Sequence, residues 1–453
     1  MCGPDGTPDS GVLLVGDKRL NWMDTSDLMS VGRLIRDDKE LRRTAAGFIG
    51  YGDTKSGDRV LLAVDNHYDS RVYDTLAAVL REKGAKVDVV VVDAGPDYEV
   101  GESEEVDIVM RREPWDNKPR RWEGIPWIER LAAERNYDLL VHGKGGGIPQ
   151  TSHRYEAAPW LSVEQFGSQA TTFPREVHVA INEKLWDSFR LRGVGGRVHL
   201  TDPEGTDLTY TLHQDYFDGT RRGYGDVPWW GHVMGHGPTP ILPQEDASGI
   251  VAGTMNHVSR AFPRIEVELQ KGRVEHVRGG GGYGDAWRAL KKESDGTKYP
   301  SFPDNGLFWL WEVAIGTNPK IERPSNLHMA SSGGFEWERR RAGVIHCGFG
   351  TRWRGPEEKW AGAEGILYGH LHVHLLFPTL RITALDGSTM SIIEHGHLTV
   401  LDDPEIRELA AKYGDPDVVL REDWFPDMPG INAPGLYEEY AKNPGKFIYA
   451  AAK

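Results

Sequence analysis

Cysteine is nearly absent: Cys2 and Cys347 are the two in 453 residues. With one of them beside the start of the chain, no disulfide framework is expected, and a reducing cytoplasm suits the composition. Also missing is any apolar run near the roughly 20 residues that span a bilayer, so no membrane protein is expected. The opening Met1-Cys2-Gly3-Pro4-Asp5-Gly6 has no basic stretch leading into an apolar one, and so does not read as a secretory leader. Positive charge is in deficit, 53 Lys and Arg against 68 Asp and Glu, for a net charge of -15. That balance argues against a nucleic-acid partner. No internal repeat or low-complexity segment is seen. The one phosphate-loop candidate, Gly143-Lys144-Gly145-Gly146-Gly147, lacks the G-x-x-x-x-G-K-[ST] order and reads as a turn.

What the chain does have is histidine at an informative spacing. Gly369-His370-Leu371-His372-Val373-His374 lies inside an apolar stretch running from Ile366 to Leu376. On a β-strand alternate side chains share a face, so His370, His372 and His374 point one way and Leu371, Val373 and Leu375 the other. Imidazole is the commonest protein ligand for transition metals, and neighbours on one strand face can reach a single ion. His372 and His374 are thus candidate metal ligands. His370 shares their face and is a candidate for substrate contact or catalysis.

The first half reads as α/β. Arg59 to Val64 and Lys86 to Val92 are short buried strands. Between them Asp69-Ser70 offers N-cap chemistry, Val72, Leu76, Val79 and Leu80 recur at helical spacing, and Gly84 stands where a helix would end. A parallel β-α-β unit follows from that order. Pro126 opens a second helix with Ile128, Leu131 and Ala132, leading to a strand at Leu139-Leu140-Val141. Pro174 then opens a helix with Val177, Ala180, Ile181 and Leu185 on one face.

After Gly195-Gly196 short strands alternate with Gly and Pro turns, including Gly279 to Gly282. The expected fold is an α/β N-terminal domain with a parallel sheet (1–175), a β-rich α+β metal-binding domain (176–403), and a C-terminal helix and arm (404–453). The first boundary falls between about 160 and 195.

Other histidine motifs do not fit. The zinc-hydrolase pattern H-x-H-x-D-H needs an Asp that is missing here, amidohydrolases carry H-x-H near the N-terminus, and cupins need a Glu where Pro378 and Thr379 stand. Four other segments, taken in order, match one family. Thr201-Asp202-Pro203-Glu204-Gly205-Thr206-Asp207-Leu208-Thr209 resembles a G-P-G-T-D-L-T stretch, Glu312 to Pro319 resembles E-x-x-I-G-x-N-P, Gly343 to Gly350 resembles G-T-I-H-x-A-x-G, and His372-Val373-His374 followed by Asp386-Gly387 resembles H-x-D and a later D-G turn. These are motifs of the metallo-aminopeptidase family typified by aminopeptidases T and S, whose fold also carries 2,5-dihydroxypyridine dioxygenase, an iron enzyme. The resemblance spans roughly residues 55 to 400 and implies an aminopeptidase T-like fold, a homodimer and a metal centre.

Two departures shape what the resemblance implies. The family's two-metal site uses two Glu, two His and an Asp. Here His232 stands in the place of the first Glu and His374 in the place of the Asp. Losing carboxylates weakens the case for two dications side by side. The resemblance therefore implies one transition-metal ion, with His346, His372 and His374 as ligands and Glu312 as ligand or general base. Fe(II) would suit a dioxygenase opening a small hydroxylated or nitrogen-containing aromatic ring with O2. Zn would suit hydrolysis of a small amide or peptide. A chain that kept the fold and lost the chemistry is a third reading. Trp229, Trp230, Trp309, Trp311 and Phe349 could line a slot for a flat ring, with His232, Trp230 and Trp311 as substrate contacts. His236 reads as a turn residue, and His395 and His397 as surface residues at a strand end.

Overall fold

The structure is a computed structural model that describes residues 12–15, 18–37, 54–92, 128, 130–142, 154–158, 160–212, 236–237, 246–256, 261–300, 302–322, 340–351, 356–368, 370–423 and 426–448. The apolar runs of the first half form parallel strands, Arg59–Asp65 and Lys86–Val92, paired from Arg59 opposite Lys86 to Asp65 opposite Val92. Between them runs the helix Ser70–Glu82, capped by Asp69, whose side chain accepts from the Arg71 backbone N–H. It buries Val72, Leu76, Val79 and Leu80 on one face. Gly84 follows with a left-handed φ of +89°, and a Cβ there would fall 2.5 Å from Ser56 Oγ.

Leu139–His142 pairs on the other side of Arg59–Asp65, and Arg154–Ala157 lies beyond it, giving four parallel strands. Ile128 and Ala132 pack under Leu61, Ala63 and Leu140. Pro126 and the turn from Gly143 to Gly147 lie outside the described residues.

The helix after Pro174 is longer than the apolar spacing alone suggests, Arg175–Arg192, with Val177, Ile181 and Leu185 buried and Gly193 at its end. It contributes to a core shared with a second, 12-stranded sheet. The central path of that sheet runs Thr379–Thr383, Arg197–Asp202, Thr206–Thr211, Ser248–Met255, His370–Leu375, Ile345–Gly350 and Leu310–Gly316, every pair antiparallel. The histidine strand is thus an inner strand, flanked on both sides. Among the described residues no helix is long and apolar enough to cross a membrane.

The C-terminal segment lies over this chain's own large sheet. Met428, Tyr440 and Ile448 pack with Met255, Val344, Leu376 and Phe377. Lys320 Nζ, almost fully buried, donates to the carbonyls of Val418 and Arg421 and pairs with Asp423 at 3.1 Å. His397 sits between Glu422 and Asp402, 2.8 Å from each, and these carboxylates hold its imidazole up at about 9. This strand-end histidine is therefore part of an ion-pair clamp on the tail. Tyr440 Oη lies 2.8 Å from Thr254 Oγ1, both buried. Tyr440→Phe removes that hydrogen bond and should cost about 0.5–1.5 kcal/mol in urea unfolding. An unchanged unfolding midpoint would show that the contact does not hold the tail.

Candidate metal centre

Three adjacent strands place the site's side chains in cross-strand rows. On Ile345–Gly350 the odd positions Ile345, Cys347 and Phe349 turn into the hydrophobic core, as do Leu371, Val373 and Leu375 on His370–Leu375. The other face carries His346, Gly348 and Gly350 opposite His374, His372 and His370 in turn. On Leu310–Gly316, Glu312 pairs with Gly348 and Ala314 with His346. One row across the sheet therefore reads Glu312, Gly348, His372, and the next Ala314, His346, His374. A β-bulge between Leu310 and Glu312 makes this register possible, because it lets Leu310 stay in the core while Glu312 turns to the histidines.

Glu312, His346 and His372 converge. His346 Nε2 is 3.1 Å from Glu312 Oε1, and His372 Nε2 is 3.4 Å from Glu312 Oε2. One potential ligand atom from each lies within 4.8 Å of the others, and all three residues are buried. Burial works to raise the Glu312 carboxyl, but attraction to His346 and hydrogen bonding with both imidazoles outweigh it and hold it well below the usual range. The carboxylate is thus ionised at neutral pH, the form that binds a cation. His374, fully buried, stands in the neighbouring row with its ring centroid 5.9 Å from that of His346. It flanks the converging set rather than closing on it.

No protein-family model matches the chain, and no curated protein matches it in sequence. Solved structures do. The structure of 2,5-dihydroxypyridine dioxygenase from Pseudomonas putida KT2440 is similar at 14% identity and a TM-score of 0.45, covering 84% of this chain and 99% of that one. Wild-type AmpT from Thermus thermophilus is similar at 15% identity and a TM-score of 0.47, covering 81% and 98%. These are the two kinds of protein that the sequence motifs resemble. Which chemistry this chain performs has to come from its own donors.

One carboxylate and two imidazoles on one face suit a single divalent transition metal. No side chain rises from Gly348, between Glu312 and His372, to crowd their donor atoms. The remaining candidates are spread more widely. Trp311 meets the His372 ring edge-on at a centroid distance of 6.2 Å, so it borders the site. Trp309 and Phe349 belong to the core instead, Phe349 packing against Trp287 at 5.2 Å, so they do not line a slot at the site. His370 opens its strand opposite Gly350, but its side chain lies outside the described residues, as do Trp229, Trp230 and His232. His236 pairs with Gly316 at the sheet's edge.

Two features went unread in the sequence. Cys347 is buried in the core and its thiol is pushed far up by that burial, so it is no nucleophile. Asp202 and Glu204, within the 201–209 motif, are buried carboxylates. Asp202 accepts from the backbone N–H groups of Glu204 (2.9 Å) and Phe377 (3.2 Å), while Tyr437 of the C-terminal segment donates to Glu204 at 3.3 Å. The motif thus joins a strand turn to the tail.

Proposed function

We propose that this chain is a mononuclear non-haem iron enzyme that opens a small hydroxylated or nitrogen-containing aromatic ring with O2. The observation that carries the reading is the buried set of one carboxylate and two histidines, Glu312, His346 and His372. Two His and one carboxylate on one face, with positions left open, is the donor set of non-haem Fe(II) oxygenases. Fe(II) held there would supply open positions at which an electron-rich ring and O2 can meet. The chain's own contribution is orientation and exclusion of water. Glu312 supplies the negative charge, the two imidazoles present Nε2 towards it, and Trp311 packs against His372 and limits how that ring can turn. His374, in the neighbouring row beside His346, is a further imidazole able to hold a proton near a ring hydroxyl.

Hydrolysis with zinc is the second reading, because His and Glu ligands also serve catalytic zinc and His374 offers an additional imidazole. Glu312 is the one carboxylate of the converging group, however. As a ligand it is not free to act as general base, and that favours the oxygenase.

Oxygen separates the two. Fe(II)-loaded protein given a panel of hydroxylated pyridines and dihydroxybenzenes should take up O2 in step with substrate loss and stop in an anaerobic vessel. No O2 uptake with any member of the panel, together with metal-dependent cleavage of small amides or peptides in an oxygen-free vessel, would overturn the dioxygenase and leave the hydrolase.

A further inference from the structure

Gly348 occupies the middle of the row Glu312, Gly348, His372, paired on one side with the carboxylate's residue and on the other with the imidazole's. Neighbouring strands are about 4.8 Å apart, so residues two strands apart are separated by nearly twice that at their Cα atoms. Their side chains can meet at 3.4 Å only by leaning over the residue between them. A Cβ on Gly348 would lie 3.0 Å from Glu312 Cβ, 3.0 Å from Glu312 Oε2 and 3.1 Å from His372 Nε2. Two of those three atoms are the site's own donors.

Backbone conformation does not explain this glycine. Gly343 and Gly350, at the ends of the same segment, have φ of +79° and +104°, where a side chain would be strained. Gly348 is not among the left-handed glycines and is held in the ladder on both sides. A glycine inside a strand weakens the strand, and one reason to find it there is the close approach of another group. Here the approaching groups are identified by distance. Two nearby positions on this face are small as well, Ala314 in the next row and Gly350 beyond, although His346 stands beside Gly348 on its own strand.

We infer that Gly348 is a positioning residue of the metal centre: its missing side chain lets Glu312 and His372 close over the strand between them and leaves room beside their donor atoms for the ion. The inference rests on the metal reading above. It assigns to this position no role in holding or transferring anything itself.

Cobalt(II) serves as the probe, since its visible absorption reports the number and arrangement of its ligands. The full-length chain, stripped of metal, is titrated with Co(II) alongside Gly348→Ala and the control Gly296→Ala, whose added Cβ meets nothing within 4 Å. Gly348→Ala should bind about 10–100-fold more weakly, as expected when a group that orients a ligand is disturbed, and with altered absorption bands. Gly296→Ala should match the unchanged chain. Wild-type affinity and an unchanged spectrum in Gly348→Ala would overturn the role of Gly348 while leaving the metal reading intact. An unchanged chain that binds no Co(II), Fe(II) or Zn would overturn both.

Should Gly348→Ala fail to fold, the double variant Gly348→Ala/Glu312→Ala decides. Recovery of the fold would show that the new methyl and the carboxylate compete for one space, as inferred. Continued misfolding would show that the glycine serves the backbone, and the inference would fall.

Discussion

Glu312→Gln and His372→Ala should each lose most of the chain's capacity to bind a transition metal while leaving it folded. Groups that merely orient a metal ligand are worth about 10–100-fold in affinity, so loss of a direct ligand should exceed that range. His346→Ala should behave in the same way, because its Nε2 lies 3.1 Å from the Glu312 carboxylate that His372 also approaches. His374→Ala should show a smaller loss, since its ring stands in the adjacent row beside His346. His395→Ala should be silent: the side chain is exposed, and its backbone N–H makes the contact to Thr379. The fold should survive in every case, because extended hydrophobic clusters and not a metal clip hold the two sheets. The measurement is iron per chain after equilibration with limiting Fe(II), with circular dichroism as the check on folding. Near-full occupancy in Glu312→Gln and His372→Ala would sink the assignment.

Local pattern made part of this site readable. Alternation along one strand is enough to set His370, His372 and His374 on one face and Leu371, Val373 and Leu375 on the other. The continuous apolar run Val60 to Val64 likewise announces a strand covered on both sides, whereas Lys86–Val92, expected to be buried, is the edge strand of its sheet, with Val87 buried and Val91 exposed. The rest depends on which strand lies beside which, and strand spacing in sequence does not contain that. Glu312 and His346 came forward through the resemblance of their motifs, and nothing local in Glu312-Val313-Ala314 says that its carboxylate closes on a histidine 60 residues later. Gly348 was invisible for the same reason, since a glycine's meaning there comes from its two cross-strand partners.

Other misses have local causes. Gly281–Ser294 is a helix that begins inside a glycine run, and glycine's poor helix propensity makes such a run read as a turn. Tyr283 and Trp287, buried one turn apart, are what hold it against the core. Arg154–Ala157 has no apolar run, and only the parallel partner Leu139–His142 makes a strand of it. The aromatic residues near the histidines misled in part. Trp309 and Phe349 are core side chains, and Trp311 alone among those described touches a member of the site.

Raising the pH from about 5 to about 8 should weaken the fold, and Glu204→Gln should remove most of that weakening. Burial is the main cause that pushes the Glu204 carboxyl up, and the neighbouring Asp202 charge adds to it. Hydrogen bonds from Thr254 and Tyr437 and the charge of Arg264 oppose them without offsetting them, and the group titrates at about 8 in place of 4.5. Between those values the folded chain holds a proton that the unfolded chain has released. Stability is therefore greatest below 4.5 and falls as pH rises to about 8, by about 1.4 kcal/mol per pH unit for one proton. Asp202 is raised by burial and contributes with the same sign at lower pH. His397 also contributes stability that is present below 6.5 and lost as pH rises through about 9, but it is 40% exposed and solvent screens it. Glu312, held low, acts in the opposite sense and matters only in acid, where stability is lost as pH falls below 4.5.

Subtracting the Glu204→Gln profile from that of the unchanged chain cancels the groups remote from Glu204 and leaves its own titration with that of the neighbouring Asp202. The difference should move by roughly 3–4 kcal/mol between about pH 5 and pH 8, with the Gln variant the more stable at the alkaline end. Urea unfolding followed by tryptophan fluorescence at each pH would show it. The tail should be the first part to respond, because Tyr437 of that segment donates directly to Glu204. Two parallel profiles would mean that Glu204 ionises inside the fold without cost, and the buried carboxyl would then have no part in holding the tail.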